Sequence, residues 1–193
     1  MARKNIKSST EKTVMLALFT ALVALLSYLG GFIKIGGLAS ISLTLIPVVL
    51  GAALCGPLSG AWLGGVSGIV FFITADAAFW FSLSIPGTII TVMVKGIAAG
   101  LLAGIAYKLL EGKNRYLAVV ASAIVAPIVN TGIFLLGCLT FFMDTVNAWA
   151  IGEGMNVGAY LIVFFVGLNF VFELLFNVVF SPAIVKLISL RKK

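Results

Sequence analysis

The chain has 193 residues, of which 62% are hydrophobic and only 10% charged, with a mean hydropathy of +1.22. Soluble domains are about 45–50% apolar, so a soluble fold would leave much of this apolar surface without a core to enter. The net charge is +7, but the basic residues cluster between and beyond the apolar runs. This distribution indicates membrane topology and argues against nucleic-acid binding, so the expected surroundings are a lipid bilayer.

The apolar runs predict an all-α integral membrane protein, a single membrane domain over residues 1–193 that forms a six-transmembrane-helix bundle. The hydrocarbon core is about 30 Å thick and requires about 20 apolar residues per helix. The first run is longer than the apolar region of a signal peptide, so we interpret it as a retained helix. The predicted helices cover about 13–33, 42–55, 59–75, 87–110, 116–142 and 158–187, with loops at 76–85 and 143–157.

Basic residues predict the orientation of this bundle. Eleven of the thirteen Lys and Arg lie before the first predicted helix, around the gap between the fourth and fifth, or near the C-terminal end. Six spans bring these three regions to one side, and the positive-inside rule makes that side cytoplasmic. Both termini are therefore predicted to be cytoplasmic.

Small residues recur every four positions in two of the predicted helices. Gly60, Gly64 and Gly68 follow Gly56 in the third, and Gly96, Gly100 and Gly104 lie in the fourth. This spacing places them on one face, where another backbone can approach closely, and favours packing inside the bundle. A shorter pattern of the same kind, Ala17-x-x-x-Ala21, lies in the first predicted helix.

Two ionisable residues, Lys95 and Glu173, lie deep in the predicted spans. Each costs about 2.5–3.5 kcal/mol at a helix centre, so neither should face lipid. Further polar residues lie near them. Thr88 and Thr91 lie on the same helix face as Lys95, Asn169 and Asn177 lie on the same face as Glu173, and Asn130 lies in the middle of the fifth predicted helix. Two interpretations remain open: a buried ion pair whose remaining groups the amides satisfy, or a solute pocket lined by these side chains.

Aromatic residues mark the two segments predicted as loops on the opposite, outer side. Trp80 lies in the first of these segments and Trp149 in the second. Such residues are typical of an interfacial aromatic belt, and they are equally suited to covering a ligand site.

Several motifs of autonomous enzymes and transporters are missing from the sequence. There is no G-x-x-x-x-G-K-[ST] and no G-x-S-x-G, so we expect neither ATP hydrolysis by that route nor a membrane hydrolase. The chain has no His and two Cys, so neither a metal site nor a cofactor is expected. Two equal inverted halves, common in secondary transporters, are not visible. These features favour a binding subunit without enzymatic activity.

An ordered combination of features resembles one family over nearly the whole chain. It comprises Ala17-x-x-x-Ala21 behind a basic lead, the stretch from Ser42 through Pro47 to Gly68, and a last helix with Asn169, Glu173 and Pro182 before a basic tail. The chain resembles the substrate-specific S components of energy-coupling factor (ECF) vitamin transporters. The resemblance implies a multi-pass protein of a bacterial cytoplasmic membrane, with a solute pocket in the outer half of the bundle.

The resemblance also implies partners: a transmembrane coupling subunit and two cytoplasmic ATPase subunits that hydrolyse ATP. It implies that Ala17 and Ala21 dock on the coupling subunit. The expected ligand is a small vitamin-like molecule, and pantothenate, riboflavin and an amino-acid-like precursor all remain open. The candidate ligand contacts are Thr88, Thr91, Lys95, Asn130, Asn169 and Glu173, with Trp80 and Trp149 as covers. The alternative is an autonomous channel or proton-coupled carrier that uses Lys95 and Glu173.

Overall fold

The computed structural model describes the backbone of residues 2–30, 34–35, 39–40 and 44–191. The side chains described are those of residues 10–30, 44–164, 170–182 and 184–186. These residues are helical apart from turns and one antiparallel pairing, in which Lys34 of β1 (Lys34–Ile35) pairs with Ser40 of β2 (Ala39–Ser40). The helices are α1 (Ala2–Gly30), α2 (Leu45–Cys55), α3 (Pro57–Phe71), α4 (Ala75–Leu83), α5 (Ile85–Leu110), α6 (Arg115–Phe141), α7 (Met143–Gly152), α8 (Val157–Tyr160), a π-helical segment (Leu161–Phe170) and α9 (Val171–Arg191).

Three helices in the described part of the chain are long and apolar enough to cross a membrane: Thr10–Gly30 within α1, α5 and α6. The pair formed by α3 and α4 passes the same test together but is bent by 83°. The shorter α2 is apolar as well. The predicted all-α membrane fold is therefore confirmed, whereas the count of six spans and the side of the termini stay predictions.

Both segments predicted as loops between spans contain helices, so this part of the prediction was wrong. Residues 75–83 form α4 and residues 143–152 form α7. Each of these helices has an acidic residue in its first turn, Asp76 in α4 and Asp144 in α7. A carboxylate is favourable there because it faces the positive end of the helix dipole.

The ends of the long helices follow ordinary capping chemistry. The Ser84 hydroxyl accepts a hydrogen bond from the Gly87 amide at 3.2 Å, and Pro86 occupies the first turn of α5. The Asn114 side chain accepts from the amides of Tyr116 and Leu117 at 2.8 and 3.1 Å, which starts α6. Both helices begin within two residues of the predicted position. In contrast, α1 begins at Ala2, well before the predicted residue 13, while the predicted end at 31–33 lies outside the described residues.

The glycine stripes form a close crossing between α3 and α5. Gly60 lies against the backbone of Gly100, and Gly64 against that of Gly96. A Cβ atom added at any of the four would overlap a carbonyl oxygen of the opposite helix. The predicted packing of both stripes inside the bundle is therefore confirmed.

Three hydroxyl groups link α1, α2 and α3 within the apolar bundle. Ser27 Oγ donates to Ser67 Oγ at 3.0 Å, and Thr44 Oγ1, just before α2, lies 3.4 Å from Ser67 Oγ. These contacts between helices satisfy hydroxyls that would otherwise be costly to bury.

Two apolar clusters of buried residues divide the bundle along its length. One joins α2, α5, α6 and α9 and includes Ala99, Ala126 and Ile184. The other joins α4, α6 and α7 and includes Trp80 and Cys138. Along α6, Asn130 lies between Ala126 of the first cluster and Cys138 of the second. Asn130 is thus held between these two apolar clusters.

Candidate functional site

A buried polar network connects α6 to α9. Asn130 Nδ2 on α6 donates to Glu173 Oε2 on α9 at 3.3 Å, and the Glu173 side chain is 1% exposed. One turn further along α9, Asn177 Nδ2 donates to the Glu173 backbone carbonyl at 2.8 Å. Ser181 Oγ donates to the carbonyl of Asn177 at 2.9 Å. The spacing of four along α9 places these groups on the buried face, as the sequence predicted for Glu173 and Asn177.

Lys95 lies on the inward face of α5. Its Nζ is 5.2 Å from the centroid of the Phe134 ring, within the range of a cation–π contact. Lys95 is half-buried and interacts electrostatically with Glu173. The neighbours of Lys95 on the same face, Thr91 and Ala99, are buried. Lys95 therefore lies on the side of α5 that is turned towards the inside of the bundle, next to Phe134.

Aromatic rings from four helices pack together and meet Lys95 through Phe134. The Trp80 ring packs edge-on against Phe134 at 5.4 Å and against Trp149 at 6.3 Å between centroids. Trp149 also stacks on Phe79 at 6.0 Å, and it lies 6.4 Å from the Tyr160 ring. Trp80 is 8% exposed, so it belongs to the interior of the protein and not to a lipid-facing belt. The two predicted cover residues are therefore brought together.

The two threonines of the predicted site behave differently. The Thr88 hydroxyl donates to the backbone carbonyls of Trp80 and Ser84, at 2.8 and 2.7 Å, and is 1% exposed. Its single O–H proton is shared between these carbonyls and holds α4 against α5, so Thr88 has no donor left for a solute. Thr91 Oγ1 is also buried, but it has no hydrogen-bond partner among the described residues. It lies close to Gly137 of α6, where an added Cβ would overlap the Thr91 side chain.

The structure thus brings Lys95 on α5, Asn130 on α6 and Glu173 on α9 into one polar region, below the rings of Trp80 and Trp149. Asn169 lies in the π-helical segment just before α9, and its side chain is outside the described residues. Phe134, which lies one turn from Asn130 on α6, was not among the residues predicted from the sequence. That spacing was the available signal, because positions four apart share a helix face.

A π-helical segment of ten residues, Leu161–Phe170, separates the aromatic cover from Glu173. π-helical turns are rare and are frequent at functional sites. Their wider turns change the direction in which side chains project between Tyr160 and Glu173. The sequence predicted a regular helix here and had no signal for this change.

The predicted docking face of α1 remains accessible. Ala17 and Ala21 are both exposed, and Leu18 beside them is 66% exposed. Trp62 of α3 borders this face and donates from Nε1 to Thr20 Oγ1 at 3.1 Å. Ala17 and Ala21 are therefore not buried against other helices in the described part of the bundle.

A comparison with protein families gives one match that covers most of the chain. The family model described as "ECF transporter, substrate-specific component" matches residues 11–188. Neither the curated proteins nor the solved structures to which the chain was compared gave a significant match. The matched range includes every residue of the polar region, the aromatic cover and the α1 face. The chain therefore belongs to the family of ECF transporter substrate-specific components.

Proposed function

We propose that this substrate-specific subunit binds a small water-soluble vitamin or related micronutrient with high affinity between its polar region and its aromatic cover. The observation that carries this proposal is the position of Lys95, which is half-buried on the inward side of α5, beside the Phe134 ring and within electrostatic range of Glu173. An ammonium group inside a membrane bundle is costly unless it has a partner, so the presence of Lys95 there favours a binding role.

The two ends of the site would make different contributions. Lys95, Asn130 and Glu173 supply one cation, one amide and one carboxylate, which fix the orientation of a polar solute. Trp80 and Trp149 supply flat apolar area to a heteroaromatic or aliphatic body. Thr88 would act indirectly, since its hydroxyl holds the backbone of Trp80. Pantothenate, riboflavin and an amino-acid-like precursor are all compatible with this chemistry.

We further propose that transport depends on partners: a transmembrane coupling subunit and two cytoplasmic ATPase subunits in a bacterial cytoplasmic membrane. The family assignment supports this division of labour, because a substrate-specific component operates within an ECF transporter. The accessible Ala17 and Ala21 support α1 as the face that meets the coupling subunit.

One alternative is favoured by a specific observation. Lys95 and Glu173 interact electrostatically inside the bundle, as the charge relay of an autonomous channel or proton-coupled carrier would require.

Flux measurements in vesicles distinguish these functions. The bound molecule is first released from the purified chain by heat and identified by its mass. Vesicles that contain the chain alone should then bind this molecule without accumulating it. Vesicles that also contain the coupling subunit and both ATPases should accumulate it when ATP is supplied. Flux through the chain alone, without ATP, would contradict the proposal and support the autonomous carrier.

A further inference from the structure

Lys95 carries hydrogen-bond donors that the described residues do not use. A lysine ammonium group has three N–H donors and no acceptor. In the described part of the chain, Lys95 has a ring contact with Phe134 and electrostatic attraction to Glu173, but no hydrogen-bond acceptor. The side chain is half-buried on the inward side of α5, so these donors require an acceptor that the described residues do not supply.

Glu173 contributes charge to this region but almost no surface. Its side chain is 1% exposed, and Oε2 accepts a hydrogen bond from Asn130 at 3.3 Å. Its negative charge lowers the cost of keeping an ammonium group inside the bundle. Of these two charges, that of Lys95 is therefore the one that a solute can reach.

A carboxylate is the group that matches the donors of Lys95. Its oxygens accept short, charge-assisted hydrogen bonds from an ammonium group. A carboxylate that approaches from the side of Phe134 would be nearer to Lys95 than to Glu173, so attraction would exceed repulsion. A doubly charged phosphate would require more positive charge, whereas the next basic residue of α5, Lys108, lies in the last turn, about 20 Å further along the helix.

The Phe134 ring sets the distance between this charge and the aromatic cover. Lys95 Nζ lies 5.2 Å from the Phe134 centroid, which lies 5.4 Å from the Trp80 centroid. The ammonium group and the Trp80 ring are therefore at most about 11 Å apart. A small molecule spans this distance, so one solute can contact Lys95 with a charged end and the aromatic rings with an apolar body.

We propose that the solute is a carboxylic acid whose carboxylate accepts hydrogen bonds from Lys95 and whose body lies against the aromatic cover. This inference rests on the proposed function and narrows its substrate class. Pantothenate and an amino-acid-like precursor carry a carboxylate and fit. Riboflavin has none and does not fit.

Native mass spectrometry of the purified full chain tests this in two steps. The molecule that the wild-type chain retains is identified by its mass and should be a carboxylic acid. Competition then compares acids with neutral counterparts of similar shape: pantothenate with panthenol, biotin with its methyl ester, and nicotinate with nicotinamide. At least one acid should bind at least tenfold more tightly than its counterpart, as expected for hydrogen bonds between charged groups.

Variants of Lys95 separate recognition of the carboxylate from a structural role. Lys95→Met removes the charge but keeps an unbranched side chain, so binding of the acid should weaken about tenfold or more while the neutral counterpart binds as before. Lys95→Arg keeps a cation with N–H donors and should keep the preference for the acid. Lys108→Met, at an exposed position of the same helix, is the matched control and should change neither member of a pair.

The outcomes that would overturn this inference differ from those that would overturn the proposed function. A retained molecule without a carboxylate, such as riboflavin, would overturn the inference and leave the proposed function intact. Equal weakening of an acid and its neutral counterpart in Lys95→Met would also overturn it, because Lys95 would then act through the structure alone. A wild-type chain that retains no small molecule would contradict the proposed function itself.

Discussion

Glu173 shows how an ionisable residue is accommodated inside this bundle. Its carboxylate accepts a hydrogen bond from Asn130, its own backbone carbonyl accepts one from Asn177, and Lys95 lies within electrostatic range. Burying a carboxylate without such partners would cost several kcal/mol. The helix spacing predicted that these residues would face inward. It could not predict that Asn130 would contact Glu173, because that contact depends on the packing of α6 against α9.

Asn130→Ala should destabilise the protein because it leaves Glu173 Oε2 with one donor fewer. Hydrogen bonds to charged groups contribute about 1.5–3 kcal/mol, so the free energy of unfolding should fall by that order. Denaturant or thermal unfolding in detergent measures the change. Thr140→Ala on the same helix is the control: its hydroxyl is exposed and bonds within its own helix, to the Leu136 carbonyl. Equal unfolding free energies for the two variants would contradict this account of Asn130.

Thr88→Val should loosen α4 while leaving the polar region intact. The substitution keeps the shape of the side chain but removes the donor to the carbonyls of Trp80 and Ser84. A loss of about 1 kcal/mol and faster hydrogen exchange of the amides in Ala75–Leu83 are expected. Hydrogen-exchange mass spectrometry checks this, with the amides of α7 as the internal control. Unchanged exchange in α4 would show that Thr88 does not hold this helix.

At the scale of whole elements, the crossing of α3 and α5 depends on glycine. Gly64→Ala should lower the unfolding free energy by more than about 2 kcal/mol, because the new methyl group overlaps the Gly96 carbonyl. Gly132→Ala on α6 is the matched control, since an added Cβ there has nothing within 4 Å. That change should be neutral or slightly stabilising through helix propensity. Similar destabilisation by both changes would contradict the close crossing.

The α1 face gives a prediction about assembly. Replacing both Ala17 and Ala21 by Trp should abolish close approach of another helix, so co-purification of the coupling subunit should fall about tenfold or more. The purified variant should still bind its solute, because both alanines are exposed and remote from Lys95 along the chain. Ile128→Trp, at a 51% exposed position of α6, is the control for adding an aromatic ring to the membrane-facing surface. Unchanged assembly in the double variant would rule out this docking face.

At the scale of the molecule, hydropathy and helix spacing predict much of the architecture. Apolar length placed α5 and α6 to within two residues, and the four-residue glycine spacing predicted an internal crossing. The segments between the predicted spans were wrongly predicted as loops, because α4 and α7 have only 9 and 10 residues and are too short to be recognised as spans. The π-helical segment Leu161–Phe170 was not predicted, because the apolar run there was interpreted as part of a regular helix.

The candidate site was predicted in composition but not in arrangement. The charges of Lys95 and Glu173 and the helix spacing of their polar neighbours indicated which residues to consider. The spacing could not distinguish Thr88 from Thr91. The Thr88 hydroxyl donates to a backbone carbonyl, whereas the Thr91 hydroxyl has no hydrogen-bond partner among the described residues. Nor could the spacing show that Trp80 and Trp149 would meet, because α4 and α7 are far apart in the sequence. These relations depend on contacts between helices, which a single sequence does not specify.

Native mass spectrometry of the purified chain tests the central claim most directly: that a small solute binds next to Lys95, between the polar region and the aromatic cover. We predict that wild-type protein and the Ala17→Trp, Ala21→Trp double variant retain the same small molecule. Lys95→Ala should reduce its retention about tenfold or more, as expected when a charged partner is removed from a desolvated site. Equal retention by Lys95→Ala and wild-type protein, or no retained molecule in either, would contradict this account.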